Sequence, residues 1–231
     1  MTFKKTTVYG LIPAKKNSER LKNKNLLKVF KNETLLSVAI KEAFKSDNID
    51  KIYVSSDSKK VLNYSSKLGS NILMRGKLAS SSLATSSPVI LDFIKQLKLY
   101  KSLNSYIIYM QPTSLMRNHK HINEAFRILK KSKKKNCISF KIGNRTVIKS
   151  FIKKRNKLTP LYSENVFTEN SENLPTILVP NGAIYIFTVG NFLNRKRIPT
   201  KNISSYIMSE KESIDIDTRE QFLKAKKIYN I

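Results

Sequence analysis

Two aspartates separated by one residue, in Ser213-Ile-Asp-Ile-Asp-Thr218, form the sharpest chemical pattern in the sequence. In an extended segment this alternation puts Asp215 and Asp217 on one face and Ile214 and Ile216 on the other. Carboxylates aligned in that way can hold Mg²⁺, a hard cation that takes a couple of carboxylates plus waters and phosphate oxygens. The plainer alternative is that Asp217 caps the last helix and Asp215 is a solvated strand residue. Because the chain has only 16 acidic residues against 44 basic ones, two on one face are poor candidates for filler.

A second inventory lies near the amino terminus, in Leu11-Ile-Pro-Ala-Lys-Lys-Asn-Ser-Glu-Arg-Leu-Lys-Asn-Lys-Asn25. It lacks the Gly-x-x-x-x-Gly-Lys-Ser/Thr spacing of a P-loop. It offers backbone amides around Asn17 and Ser18 and four lysines, Lys15, Lys16, Lys22 and Lys24, which suits a triphosphate; a merely solvated loop is the alternative. Gln111-Pro-Thr-Ser114 directly follows an apolar run, where Gln111 can face a base or a sugar and Thr113 and Ser114 add hydroxyls. An ordinary proline turn would read the same. Arg75 and Arg117 each follow a strand and either clamp an anion or form surface salt bridges. His119 and His121 have no metal-site partners nearby in sequence and are taken as structural or solvated.

The elements that must position these residues alternate. Strands are expected at Thr7 to Ile12, Ile52 to Ser56, Ile72 to Met74, Tyr106 to Met110, Cys137 to Ile142 and Ala183 to Phe187. Between them, helical spacing covers roughly 34 to 46, a segment capped by Asp57 or Ser58, one starting at Pro88, and one carrying Ile122, Ala125, Phe126 and Leu129. This is the pattern of an α/β domain with a mostly parallel sheet. From Gly143 to about Pro175 the pattern breaks, and Lys153-Lys-Arg-Asn-Lys157 reads as a hairpin turn in an excursion from the sheet. A final helix starts near Thr218, whose spacing to Gln221 fits a capping box, with Phe222, Ala225 and Ile228 facing inward.

Composition bounds the rest. A chain of 231 residues with 40% hydrophobic content can build one large domain with a sizeable core. No apolar run approaches the ~20 residues that span a bilayer, and the start does not read as a signal peptide, so no membrane partner is expected. Cys137, the single cysteine, reads as a buried thiol, and cytoplasmic residence is the default expectation. A formal charge of +28 raises nucleic acid as a partner. Against that, the lysines are spread along the chain rather than gathered into a stripe, and an anionic small molecule would be drawn by the same field.

Five segments, in order, resemble the acylneuraminate cytidylyltransferases, or CMP-sialic acid synthetases: Ile12-Pro-Ala with Asn17-Ser18 and Lys24-Asn25; Val54-Ser-Ser-Asp57; Gln111-Pro-Thr-Ser-Leu-Met-Arg117; Pro180-Asn-Gly-Ala-Ile-Tyr-Ile186; and Tyr206-Ile-Met208 with Ser213-Ile-Asp-Ile-Asp-Thr218. The resemblance implies a three-layer sandwich of the nucleotide-diphospho-sugar transferase type over residues 1–231, with an excursion at about 143–175 that exchanges onto a partner in a homodimer. It implies transfer from CTP to a nine-carbon 2-keto sugar acid, giving a CMP-sugar and pyrophosphate, with Mg²⁺ on Asp215 and Asp217. Lys15, Asn17, Ser18, Lys24, Asn25, Arg75, Ser86 and Ser87 fall on the CTP side, with Lys24 also catalytic; Gln111, Thr113, Ser114 and Asn181 fall on the sugar-acid side. The chain departs from the family at Lys15, where arginine is usual, at Glu19 and Arg20, and on the sugar side at Ser171-Glu172-Asn173 and Val179-Pro180. These departures leave open a legionaminate-like, pseudaminate-like or eight-carbon acid, and an impaired member acting as a nucleotide- or RNA-binding module.

Overall fold

Each face of the central strands meets its own core. In the computed structural model, which describes residues 6–16, 20–81 and 85–229, the chain opens on β1 (Val8–Pro13). Val8 and Ile12 pack on one side of the sheet, Tyr9 and Leu11 on the other. Its neighbour β6 (Tyr106–Tyr109) repeats the division, with Ile108 on the first side and Ile107 and Tyr109 on the second. The remaining strands of this sheet are β4 (Lys51–Ser56), β5 (Asn71–Met74), β7 (Asn136–Ile142), β10 (Leu178–Thr188) and β11 (Ile203–Ile207). Their order is β11-β7-β10-β6-β1-β4-β5. Only β10 runs antiparallel to its neighbours in this described sheet.

Helices α1 (Leu35–Phe44), α2 (Lys59–Lys67) and α5 (His119–Lys131) cover the first side through residues such as Ile40, Val61 and Phe126. The second side is covered by α4 (Ser86–Gln96) and α6 (Val189–Arg195), through Ile90, Phe93 and Phe192. The result is the expected three-layer, mostly parallel α/β sandwich. A third, smaller core joins Leu21 and Val29 to Ile216, Phe222 and Ala225, so the last helix, α7 (Arg219–Tyr229), packs onto the chain's opening. The ribbon of β2 (Lys28–Phe30) and β3 (Glu33–Thr34) belongs to the same region.

Local signals set several helix starts. Thr34 and Ser37 form a capping box on α1, Ser58 accepts from Val61 N–H at the start of α2, and Asn118 accepts from His121 N–H at the start of α5. The box expected at Thr218 and Gln221 is present: Gln221 N–H donates to Thr218 Oγ1, and Thr218 N–H to Gln221 Oε1. Two expectations shift. Pro88 does not start its helix, because α4 begins at Ser86 after Thr85, and a short, unexpected α3 (Lys77–Ser80) precedes it. Proline is tolerated throughout a first helical turn, since those N–H groups have no intrahelical acceptor. The segment around Asp215 and Asp217 is irregular rather than a strand, and only Ile216 of its two isoleucines is fully buried.

The excursion leaves the sheet after β7. A 3₁₀ turn at Arg145–Lys149 leads into a hairpin of β8 (Phe151–Lys154) and β9 (Lys157–Pro160), which reverses through Arg155 at φ 52°. The expected turn is therefore present. Two further 3₁₀ turns, Glu164–Val166 and Ser171–Asn173, precede the return at β10. Phe151, Ile152, Leu158, Leu161, Tyr162 and Phe167 of this excursion are all exposed. Cys137 is buried, and burial pushes its thiol up to about 12, so it is no nucleophile. Among the described residues no helix is long and apolar enough to cross a membrane.

Glu42 ties α1 to the start of α5. Its Oε2 accepts from the His119 backbone N–H at 3.0 Å and faces His119 Nδ1 at 2.8 Å, while Oε1 accepts from Lys45 at 2.7 Å. Burial opposes the charged form, but the bonds from Lys45 and His119 outweigh it and hold the carboxyl at about 2, below its ordinary 4.5. A depressed carboxyl stabilises the fold above its unfolded value and loses that contribution as pH falls through its folded one. Glu42→Gln should thus cost about 1 kcal/mol at neutral pH, allowing for solvent screening. In urea titrations it should also flatten the loss of stability between pH 4.5 and 2; an unchanged slope would show that Glu42 does not carry it.

Candidate active site

The carboxyl ends of β1, β4, β5 and β6 and the early part of β10 share one edge of the sheet, where open α/β sheets bind ligands. The loop after β1 is anchored there by its backbone. Ala14 N–H donates to Ser55 O, and Lys16 N–H donates to Asp57 Oδ1 at 2.6 Å. The Asp57 side chain is thus used on this loop, and Ser58 caps α2. Asn25 donates from Nδ2 to Lys15 O at 2.8 Å, and Lys15 Nζ reaches Ser81 O at 3.3 Å, bringing the opening loop against the segment before α4. Asn25 therefore braces the loop with the amide expected to assist phosphates. Asn17 and Ser18, expected on the same side, lie outside the described residues.

Asp217 joins this loop to the far end of the chain. Lys24 Nζ lies 2.9 Å from its Oδ1 and Arg20 Nη2 lies 2.8 Å from its Oδ2. The Asp217 backbone N–H and that of Thr218 both donate to Gln221 Oε1, so the start of α7 fixes the carboxylate's place. Partial burial of Asp217 opposes its charge, but the hydrogen bond and charge of Lys24, then those of Arg20, hold its carboxyl below the usual range. The Lys24 side chain is 14% exposed and Arg20's 67%, so the first is a fixed partner and the second a surface one.

Asp215 is different. It lines a cleft of about 690 Å³ together with Gln111, Asn181, Gly182, Tyr185, Ser213 and Gln221. Its Oδ1 is buried without a hydrogen-bond partner. That orphaned carboxylate oxygen is the kind of ligand a hard divalent cation takes, whereas both oxygens of Asp217, two residues on, are already paired. Among the described residues no cluster of three or more His, Cys, Asp or Glu is found. Ile214 lines the same cleft, so the strict two-face alternation expected of this segment does not hold.

The other expected contacts divide. Gln111 faces the cleft, with Oε1 accepting from Thr113 Oγ1 at 3.4 Å. Asn181 lines it too, but its amide is spent on the frame: Oδ1 accepts from Ser139 Oγ at 2.6 Å, and Nδ2 donates to Ser213 Oγ at 2.9 Å. Thr113 and Ser114 are buried beneath, Thr113 O accepting from Ile216 N–H and Ser114 Oγ lacking a partner. Ser86 bonds the buried Tyr109 phenol, and Ser87 lines a separate apolar groove with Leu78, Pro88 and Leu91.

Neither strand-end arginine makes a surface salt bridge. Arg75, buried, donates from Nε to Ser55 Oγ and from Nη2 to Ser55 O, gripping β4 with the fork that could otherwise grip an anion. Arg117, 1% exposed, donates from Nη1 to Gln111 O at 2.8 Å and Ala183 O at 3.1 Å. Burial pushes it down to about 10, which leaves it charged at neutral pH. His119 and His121 face Glu42 and Glu212, structural partners as expected. Sequence reasoning missed Tyr185 and Lys141 as cleft residues; their place on β10 and β7, near the strand ends at this edge, was the available signal.

Gly182 holds the cleft open. Its φ is +79°, and a Cβ there would lie 3.3 Å from Gln111 Oε1 and 3.6 Å from Asp215 Oδ2. Gly182→Ala should cost about 1 to 2 kcal/mol from the left-handed backbone alone. It should also move Gln111, visible as a chemical-shift change of its side-chain amide; an unmoved amide and unchanged melting would remove this role.

The sequence pattern described as cytidylyltransferase matches residues 9–229. An N-acylneuraminate cytidylyltransferase of Escherichia coli is 28% identical, covering 94% of this chain and 51% of that protein. A CMP-N,N'-diacetyllegionaminic acid synthase of Legionella pneumophila is 29% identical over 91% of each. The chain thus spans about half the length of the Escherichia coli relative and nearly all of the Legionella one. A solved CMP:2-keto-3-deoxy-manno-octonic acid synthetase complexed with CTP superposes with a TM-score of 0.73 at 12% identity, covering 97% of this chain and 99% of that one, a likeness of fold. With 9–229 matched and the sandwich in place, the chain belongs to the cytidylyltransferase family.

Proposed function

We propose that this protein couples CTP to a 2-keto sugar acid of the nonulosonic, sialic-acid-like class, releasing the CMP-sugar and pyrophosphate. The observation that carries the reading is the joining of the opening loop to the acidic segment through Asp217, beside a cleft that holds Asp215 and Gln111. Relatives named for N-acylneuraminate, pseudaminic acid and N,N'-diacetyllegionaminic acid support the acceptor class.

In this reaction the anomeric hydroxyl of the acid attacks the α-phosphorus of CTP. A new oxygen–phosphorus bond forms, the bond to the β-phosphate oxygen breaks, the hydroxyl proton is lost, and pyrophosphate departs. Such transfers rest on positioning and charge neutralisation. Lys24, held at the loop's inner end, faces the phosphates, and Lys15 is set beside Ser81 by the Asn25 brace. Arg75, bonded to Ser55, and Ser86, bonded to Tyr109, would support the nucleotide side from behind, and Ser87 would reach it only from the neighbouring apolar groove. Gln111 presents its amide to the acid, while Asn181, Thr113 and Ser114 shape the wall behind it. Asp215 and Asp217 would hold Mg²⁺, which supplies charge neutralisation at the phosphate oxygens and acidifies the attacking hydroxyl.

A homodimer is part of this reading. The exposed apolar side chains of the excursion, Phe151 to Phe167, form the kind of surface that a soluble chain covers with a partner, and a second copy is proposed as that partner.

Purified protein with Mg²⁺ should release pyrophosphate from CTP, and poorly from the other three triphosphates, when given the right acid from a panel of nine- and eight-carbon 2-keto sugar acids. No turnover across the panel, with steeply salt-dependent RNA binding instead, would favour a nucleic-acid module. Asp217→Asn should lower kcat roughly 10²-fold or more with the fold retained. Leu158→Asp should shift sedimentation from dimer to monomer; a wild-type monomer would end the dimer reading.

A further inference from the structure

Both carboxylate oxygens of Asp217 are already paired. Lys24 takes Oδ1 and Arg20 takes Oδ2. A divalent ion binding Asp217 would therefore have to displace one of these cations from its oxygen. Mg²⁺ also gives up its water reluctantly. Resting on the cytidylyltransferase reading, we propose that Arg20 is a polyphosphate-binding residue held in reserve on Asp217. Its transfer to the nucleotide is what opens Asp217 to the metal, so cation uptake depends on the nucleotide arriving first.

The two cations are not equivalent. Lys24 is mostly enclosed and lies at the 3₁₀ turn Lys24–Leu26, next to Asn25, whose amide is bonded into the loop. Arg20 is mostly in solvent, makes one bond, to Asp217, among the described residues, and lies in sequence between the two anchored parts of the loop, Ala14–Lys16 and Lys24–Asn25. An exposed ion pair of this kind is weak and exchanges easily. A triphosphate offers several charges where Asp217 offers one, and the guanidinium's planar fork matches phosphate oxygens in pairs. Arg20 is therefore the cation that moves and Lys24 the one that stays. In sequence Arg20 stands out only as a departure from the family's loop, because a partner 197 residues away leaves no local signal.

The test uses the full chain, with Mn²⁺ as the probe for the divalent ion, followed by the water-proton relaxation of protein-bound Mn²⁺ with the contribution of the Mn²⁺–nucleotide complex measured without protein and subtracted. Without nucleotide, wild type should bind Mn²⁺ weakly and Arg20→Ala roughly tenfold more tightly, as one opposing charge is removed. Adding CTP should bring the two affinities together. Adding Asp217→Asn to Arg20→Ala should abolish the gain, placing the gained site on that carboxylate. In the absence of any divalent ion, Arg20→Ala should bind CTP several-fold more weakly by calorimetry. Equal Mn²⁺ affinities of wild type and Arg20→Ala without nucleotide would overturn the proposal, as would wild-type Mn²⁺ uptake that CTP leaves unchanged. The first Mn²⁺ comparison needs no turnover, so it separates the two readings. If no acid is ever coupled to CTP but inorganic triphosphate restores Mn²⁺ uptake by wild type, the transfer reaction fails and the role of Arg20 stands.

Discussion

A guanidinium with no carboxylate in contact lies beneath the edge where the site is built. Arg117 bridges Gln111 O at the exit of β6 to Ala183 O on β10, and its own N–H donates to Ser114 O. A fully buried cation is costly, and carbonyl dipoles compensate it less than an opposing charge would. Its Nε has no partner at all. The return is geometric. β10 is the strand that runs against its neighbours, so its early residues, not its last ones, must be delivered to the ligand edge. The Arg117 fork holds the two strands together at the point where their pairing gives way, ahead of Tyr185↔Tyr109. Gln111 and Gly182 then face one another across the cleft.

The irregularity in β10 is part of that frame. Register with β7 shifts between Pro180 and Tyr185, and the displaced backbone is satisfied by side chains instead of a strand ladder. Ser139 Oγ accepts from Ile184 N–H, and Asn181 Oδ1 accepts from Ala183 N–H and Ser139. Asn181 then reaches Ser213, tying the bulge to the segment that carries both aspartates. A chain of hydrogen bonds thus runs from the middle of the sheet to the candidate metal ligands. It explains why polar residues in this region are buried rather than turned outward.

Regular periodicity was legible because burial imposes it. β1, β6, α1 and α5 place their apolar residues as the 2.0 and 3.6 repeats require, and the Thr218 and Gln221 box announces α7. The hairpin around Arg155 could be read from its polar turn. What could not be read was the direction in which a polar residue spends its bonds. Asn181, Thr113 and Asn25 have the chemistry of ligand contacts, and their donors and acceptors go to the protein. Arg75 and Arg117 read in sequence as anion clamps or surface salt bridges, and only the sheet topology shows that the carbonyls they bond lie inside. Long-range pairing, such as Arg20 with Asp217, has no local signature.

The two aspartates show how the fold makes one residue type do two jobs. Asp215 is enclosed by Gly182 and Tyr185, with an oxygen left unpaired, and its charge adds to burial in raising the Tyr185 phenol. Asp217, two residues on, has passed the buried Ile216 and reached the start of α7, where Lys24 and Arg20 cover it. Ile216 is the divider: its N–H is fixed to Thr113 O and its side chain to the third core. The aspartate before it is thereby committed to the cleft and the one after it to the opening loop. A strand would have turned both carboxylates to one face and given them one environment. The irregular backbone separates them, leaving one carboxylate with an unpaired oxygen and the other holding the opening loop.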